Sequence, residues 1–257
     1  MKRLFLILIT VFTLIGAAQA QENVPTAIAL NDTGVDEFYA KNYMAAIEKF
    51  ERSLVLYPGY ATARYNLGNA YLKSGDPGKA LLNFEKAVEL YPRFAAAYNQ
   101  IGVIYSDKSQ YEKAIEAFKK ALDLKAPYPL AMFNLGSTYA QAGQFNPAIN
   151  MLKQAAVLDD GNVEILITLG YALSRQKYYD EAVPHLRRAV EIAPENARAQ
   201  FFLGALYAAT NDKTAALTQY NKLNSMNESL AARLYQSIYS DKVVVINDSM
   251  SLKTVAP

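Results

Sequence analysis

Six glycines recur at intervals of 34 residues: Gly34, Gly68, Gly102, Gly136, Gly170 and Gly204. Twelve positions after each stands an alanine, giving Ala46, Ala80, Ala114, Ala148, Ala182 and Ala216. The chain holds 12 glycines in all, so half share one register, which chance spacing does not supply. Self-similarity at a fixed period of about 20 to 50 residues marks a stack of supersecondary units. A chain built this way is confined to one kind of architecture.

The stretch from Ala61 to Pro92 shows what one unit contains. Leu67, Gly68 and Tyr71 share a face of one helical pattern, and Ala80, Phe84 and Ala87 share a face of the next. Ser74, Gly75, Asp76 and Pro77 between them supply turn chemistry, and Pro92 closes the unit because proline cannot continue a helix. Looser columns keep the same chemistry. Phe50, Phe84, Phe118, Leu152, Leu186 and Tyr220 form one; Tyr71, Tyr105, Tyr139 and Tyr207 form another, joined by Leu173 and, anomalously, Glu37. Ala87, Ala121, Ala155 and Ala189 align with Ser53 and Leu223. Glycine in one helix and alanine in the next let the two backbones approach, while the aromatic columns fill the flanks. One hairpin cannot bury its apolar face alone, so neighbours must stack.

The expectation is an all-α fold, a right-handed solenoid of six helix hairpins at 27–60, 61–94, 95–128, 129–162, 163–196 and 197–230. The end units depart from the pattern as capping units do, with Thr33 and Glu37 in the first and Leu223 and Glu228 in the last. Leu230, Leu234 and Ile238 then recur every four residues, which predicts a sealing helix over 231–240. Residues 241–257 form a tail for which loose packing is expected, the alternatives being docking on the last helices or addition as a strand to a partner.

Residues 1–20 carry the anatomy of a secretory signal peptide. Lys2 and Arg3 precede an apolar run from Leu4 to Gly16, and Ala18-Gln19-Ala20 is a small-residue cleavage site. The run is short for a membrane span. No cysteine is present, which excludes a lipoprotein anchor, a disulfide framework and a thiolate nucleophile. Residues 21–26 are a polar lead. Without Lys2 and Arg3 the mature chain has 24 basic and 24 acidic residues, so no basic excess points to nucleic acid. The expected location is outside the cytoplasm, periplasmic or extracellular in a bacterium, with no stable membrane insertion after cleavage.

The units resemble tetratricopeptide repeats. The family's pattern is carried by Asn66, Leu67, Gly68, Tyr71, Ala80, Phe84, Ala87 and Pro92, and the resemblance spans about residues 27 to 230. It implies a binding scaffold whose first helices line a concave groove where peptides lie. For function it says little more, because such arrays serve many partners.

No catalytic constellation is present, so the chain reads as a non-enzyme with no cofactor and no metal. His185 is the single histidine, which excludes a two-histidine metal site. The string from Gly75 to Ala80 looks like a phosphate loop, but its glycine spacing is wrong and no serine or threonine follows Lys79. Asp159-Asp160-Gly161-Asn162 lacks the spacing and closing glutamate of a calcium loop and reads as a turn between units.

At about 100° per residue, Arg64, Leu67, Gly68 and Tyr71 fall on the core face of the first helix. Thr62, Tyr65, Asn66, Asn69, Leu72 and Lys73 fall roughly opposite, where the resemblance places the groove. One groove column reads Asp32, Asn66, Gln100, Asn134, Thr168, Phe202, and its neighbour reads Asn31, Tyr65, Asn99, Phe133, Ile167, Phe201. Side-chain amides both donate and accept, so Asn66, Gln100 and Asn134 of the first column can hold an extended peptide backbone without reading its sequence, and Asn69 on the same face is a further candidate contact. Tyr65, Phe133, Ile167, Tyr171 and Phe201 add apolar anchor points. Family members that clamp a chaperone's C-terminal carboxylate need a lysine at the position held here by Asn31, Tyr65, Asn99, Phe133, Ile167 or Phe201, so no such tail is expected. The leading reading is a scaffold or adaptor for a protein or peptide segment. The alternative is a structural subunit of an envelope assembly that uses the solenoid ends and the C-terminal tail.

Overall fold

In a computed structural model, the described residues are 23–239, so the expected signal peptide and C-terminal tail lie outside them. Among the described residues there are 13 helices and no strand. They are α1 (23–39), α2 (Tyr43–Leu56), α3 (Ala61–Lys73), α4 (Pro77–Leu90), α5 (Ala95–Asp107), α6 (Tyr111–Leu124) and α7 (Pro129–Gln141). After these come α8 (Phe145–Leu158), α9 (Val163–Arg175), α10 (Tyr179–Ile192), α11 (Ala197–Ala209), α12 (Lys213–Met226) and α13 (Glu228–Tyr239). The fold is all-α, as expected. The chain divides into two compact units, the first ending at Ile104 and the second starting at Tyr105.

The turn inside every hairpin has the same backbone. Positive φ falls at Lys41, Gly75, Ser109, Gly143, Lys177 and Asn211, again 34 residues apart. At each, the following N–H reaches back five residues, as from Asp76 to the Tyr71 carbonyl (2.8 Å) and from Gln144 to the Tyr139 carbonyl (2.8 Å). This is the Schellman closure, which satisfies carbonyls that the helix end leaves open. Only two of the six positions carry the glycine that favours it, so this register is hidden in the sequence where lysine, serine or asparagine stands. Two of the six second helices, α4 and α12, also start with a side-chain cap: the Asp76 carboxylate accepts from the Lys79 N–H (2.9 Å), and that of Asp212 from the Ala215 N–H (3.0 Å). Asp76 therefore occupies the backbone donor that a phosphate loop would need.

The glycine column is a contact surface. In the first unit, a Cβ on Gly34 would meet the Phe50 ring at 2.6 Å, and one on Gly68 would meet the Phe84 ring at 2.6 Å. In the second, Gly136 faces Leu152 and Gly170 faces Leu186 in the same way. The last hairpin differs from expectation. Gly204 is filled by Leu234 from α13, whose Cδ2 would lie 2.5 Å from an added Cβ, and not by Tyr220. Tyr220 instead packs on Tyr235. The sealing helix thus supplies the side chain that the last repeat lacks.

Other departures have local causes. The sealing helix begins at Glu228 and not at 231, because the Asn227 side chain caps it through the Leu230 N–H (3.0 Å). Residues 23–26, read as a lead, already belong to α1. Ser53 stands where the column calls for alanine, and its buried hydroxyl donates to the Ala27 carbonyl (2.7 Å). Glu37, the anomaly in the tyrosine column, accepts from the Asn42 amide across the turn (2.8 Å).

The tyrosine column also ties second helices to first. The Tyr71 hydroxyl on α3 donates to Glu51 on α2 (2.7 Å). Burial, then the hydrogen bond and charge of Glu51, raise its pKa to about 12. An unfolded tyrosine loses its proton near 10. The native state therefore holds this proton more tightly, and the stability it contributes is complete below pH 10 and lost between about 10 and 12. Glu51→Gln is expected to shift the ionisation of Tyr71 towards 10, read as the difference in tyrosinate absorbance against a Tyr71→Phe control.

Candidate functional site

The helix face expected to bind is built differently in the two units. In the first unit the amides bond to one another. The Asn66 side chain donates to the Asn31 oxygen (2.9 Å), and that of Gln100 donates to the Asn69 oxygen (2.9 Å). These pairs link helices of successive hairpins, α1 to α3 and α3 to α5. Tyr65 lies against Phe94 (ring centroids 4.8 Å apart) and Phe84 (5.6 Å). Burial raises the pKa of its phenol, and a hydrogen bond with Asn69 works in the opposite direction. Tyr65, Asn66 and Asn69 all keep part of their surface open to solvent.

In the second unit the same register is covered. Asn134, Ile167 and Phe201 are 0% exposed, Phe133 4% and Tyr171 5%; in the first unit Gln100 is 1%. These six residues were expected to line an open groove, and the structure places them in the interior. The reason is packing of first helix on first helix, since α7 touches α9 and α9 touches α11. The fifth and sixth residues of each helix then fall at that contact. The apolar row is a core, not a surface. Ser106 and Thr138 meet within it at 3.1 Å, and the Thr138 hydroxyl donates to the Asn134 carbonyl (2.7 Å).

What the second unit does present here is charge. Arg198 on α11 pairs with Glu164 on α9 (2.6 Å), both partly buried. The Nε and Nη2 of Arg198 are buried and have no acceptor. Arg175 covers the rings of Phe145 and Tyr171 and donates to the Tyr171 hydroxyl (2.8 Å). The Glu164–Arg198 pair was missed by the sequence reading. Its signal was present, because the two stand 34 residues apart at the second position of their helices with opposite charges.

Among the described residues no group of three or more histidines and acids is placed to hold a metal ion. His185 is half-buried, and burial lowers its pKa while Glu181 opposes that shift. Asn162 caps α9 and donates to Asp159 (2.9 Å), which makes the acidic stretch a turn between hairpins. No described helix is long and apolar enough to cross a membrane.

Two tetratricopeptide-repeat family models match the chain, one at residues 65–129 and 167–224 and the other at 25–93. A model of anaphase-promoting complex, cyclosome, subunit 3 matches 107–189. The chain belongs to the tetratricopeptide-repeat family, whose fold serves as a protein-interaction scaffold. No curated protein matches it. Among solved structures it is similar to YrrB, a tetratricopeptide-repeat protein described as having an unusual peptide-binding site. The two are 25% identical with a TM-score of 0.64, over 73% of this chain and 97% of YrrB. MamA is also 25% identical, with a TM-score of 0.59 over 64% of this chain and 96% of MamA. PilF of Pseudomonas aeruginosa shares the fold at 19% identity, with a TM-score of 0.73 over 84% of this chain and 99% of PilF.

Proposed function

We propose that this chain is an exported, non-enzymatic scaffold that binds an extended protein or peptide segment on the first-helix face of its first unit. The observation that carries the reading is the open part of the amide ladder. Asn66 uses one N–H on Asn31 and keeps another N–H and its carbonyl oxygen for a partner. Asn69 is held in place by Gln100, and its neighbour Tyr65 offers a ring braced by Phe94. A peptide backbone needs this alternation of donors and acceptors, and a flat ring gives one side chain a place to rest. The similarity to YrrB, a protein with a peptide-binding site, supports the same class of ligand.

The buried members of the ladder act indirectly in this reading. Gln100 positions Asn69, while Asn134, Phe133, Ile167, Tyr171 and Phe201 hold the first helices of the second unit together. The balance of charge after loss of residues 1–20 argues for a protein ligand over nucleic acid. The periplasm or the cell exterior is the place of action, and the mature chain begins at Gln21.

The test is crosslinked capture from the native envelope with tagged mature protein, wild type beside Asn66→Ala/Asn69→Ala, both shown by circular dichroism to be folded. Loss of two central polar contacts is expected to weaken capture of the same partner by about tenfold or more. Equal capture by both proteins would overturn the site, and an N-terminus other than Gln21 would overturn the route of export.

A further inference from the structure

The first unit has a second concave feature, on a different side of α3 from the amides. A cavity of about 520 Å³ lies between α2 and α4 with α3 as its floor. Arg64 reaches into it from α3, Glu51 and Val55 line it from α2, and Lys79, Leu82 and Lys86 from α4. The register sets Arg64 apart from its counterparts. Arg64 is the fourth residue of its first helix, and the other five hairpins place Leu30, Tyr98, Met132, Leu166 and Gln200 there. Met132 and Leu166 are buried and fill the interior. Repeat spacing puts Arg64 on the core face, where a guanidinium is the wrong filler.

The guanidinium is poorly satisfied by the chain itself. Its Nη1 donates to Asn83 at a long 3.4 Å, and its Nε is buried with no acceptor. Among the described residues no carboxylate lies within ion-pairing distance of it. Glu51 is the only acid lining the cavity, and it accepts the Tyr71 hydroxyl. Lys79 stands 5.1 Å from the Tyr71 ring centroid and reaches Asp76 only at 3.6 Å, while Lys86 pairs with Glu89 in solvent. Lys79 and Lys86 thus each have an acid of their own, and Arg64 is the lining cation left without one. On the rims, Val55 is 78% exposed and Leu82 58% exposed.

A half-buried cation without a counter-ion is costly, and an apolar side chain would sit there at no such cost. Arginine's planar fork matches a carboxylate with two parallel hydrogen bonds. Apolar rims on two neighbouring helices match the apolar stripe of a third helix laid between them. We propose that this cleft is a docking site for an acidic amphipathic helix of a partner protein. That helix places one glutamate or aspartate on Arg64 and flanking aliphatic side chains on Val55 and Leu82. The site is separate from the amide face and is independent of the reading given above for it.

Two synthetic helical peptides of about 16 residues test this, long enough to hold a helix once docked. One carries a central glutamate with leucines three and four residues to either side, and the other has glutamine in its place. Each is titrated into the mature full-length chain, with fluorescence anisotropy for affinity and the Arg64 Nε–H resonance for location. The glutamate peptide is expected to bind, to shift that resonance, and to weaken with added salt. Glutamine in the peptide, or Arg64→Met in the protein, is expected to weaken binding by about tenfold or more, as loss of a charge-assisted fork does. Arg64→Met copies the residue at Met132 and is expected to fold, and Arg64→Lys is expected to recover part of the binding. Asn66→Ala/Asn69→Ala is expected to leave this binding unchanged. No binding at about 1 mM peptide, a free energy near −4 kcal/mol, would overturn the proposal. Equal binding of the two peptides, or full binding by folded Arg64→Met, would overturn it as well.

Discussion

Valine in place of Gly170 is expected to lower the stability of the second unit by about 3 kcal/mol, the upper end of typical overpacking costs. An added Cβ there would stand 2.7 Å from Cδ2 of Leu186, and the branched Cγ of that side chain is nearer still. Leu186 is fully buried, so any turn it makes must displace neighbours in a close-packed interior. Replacing glycine inside a helix normally gains up to about 1 kcal/mol of helix propensity, and for valine less, so the clash decides the sign. The double variant Gly170→Val/Leu186→Ala separates the causes. Alone, Leu186→Ala is expected to cost about 2–5 kcal/mol through the cavity it leaves. Combined, the two are expected to cost less than their sum by about 1 kcal/mol or more, because each relieves the other. Urea unfolding of the mature chain reads the energies. Additive costs would mean that the close approach of α9 and α10 is not what the glycine serves.

Phe84→Ala carries the second large effect, an expected loss of about 3–5 kcal/mol. The ring is 0% exposed, fills the space over Gly68 and supports Tyr65 from below. Phe84→Leu is expected to cost much less, since Leu152 and Leu186 hold the equivalent place in other hairpins. In a stack of hairpins each interface is shared only with neighbours. Amide exchange is therefore expected to rise in α2, α3 and α4 and to stay near the wild-type rate in α11, α12 and α13. A uniform rise along the chain would show instead that the array unfolds as one cooperative body. Because Tyr65 rests on Phe84, peptide binding on the amide face is expected to fall with Phe84→Ala even where the helices persist.

The sequence was most legible where one residue type answers one steric demand. Glycine at Gly68 and alanine at Ala80 are required wherever two backbones touch, so they repeat and can be counted. The turn register was half visible: Gly75 and Gly143 announce positive φ, whereas Lys41, Ser109, Lys177 and Asn211 adopt it because the Schellman hydrogen bonds hold them there. The candidate site was legible only in part. Helical spacing correctly separated the Asn66 face from the Leu67 face, but it could not tell an open flank from one covered by the next hairpin. Phe133, Ile167 and Phe201 looked like anchors on a surface for that reason.

From the sequence alone followed the repeat length, the six hairpins, the all-α class, the small-residue contacts and the absence of a histidine pair or cysteine for chemistry. These depend on spacing along one chain and on side-chain size, which are printed in the order of residues. Tertiary structure alone decided that the second unit's first helices touch and bury their amide and aromatic column, that Leu234 replaces Tyr220 over Gly204, and that Arg64 lines a cleft while Met132 and Leu166 in its register are buried. Each of these depends on how far apart two helices stand once packed. Packing distance is set jointly by side chains far apart in sequence, so no single stretch of the chain carries it.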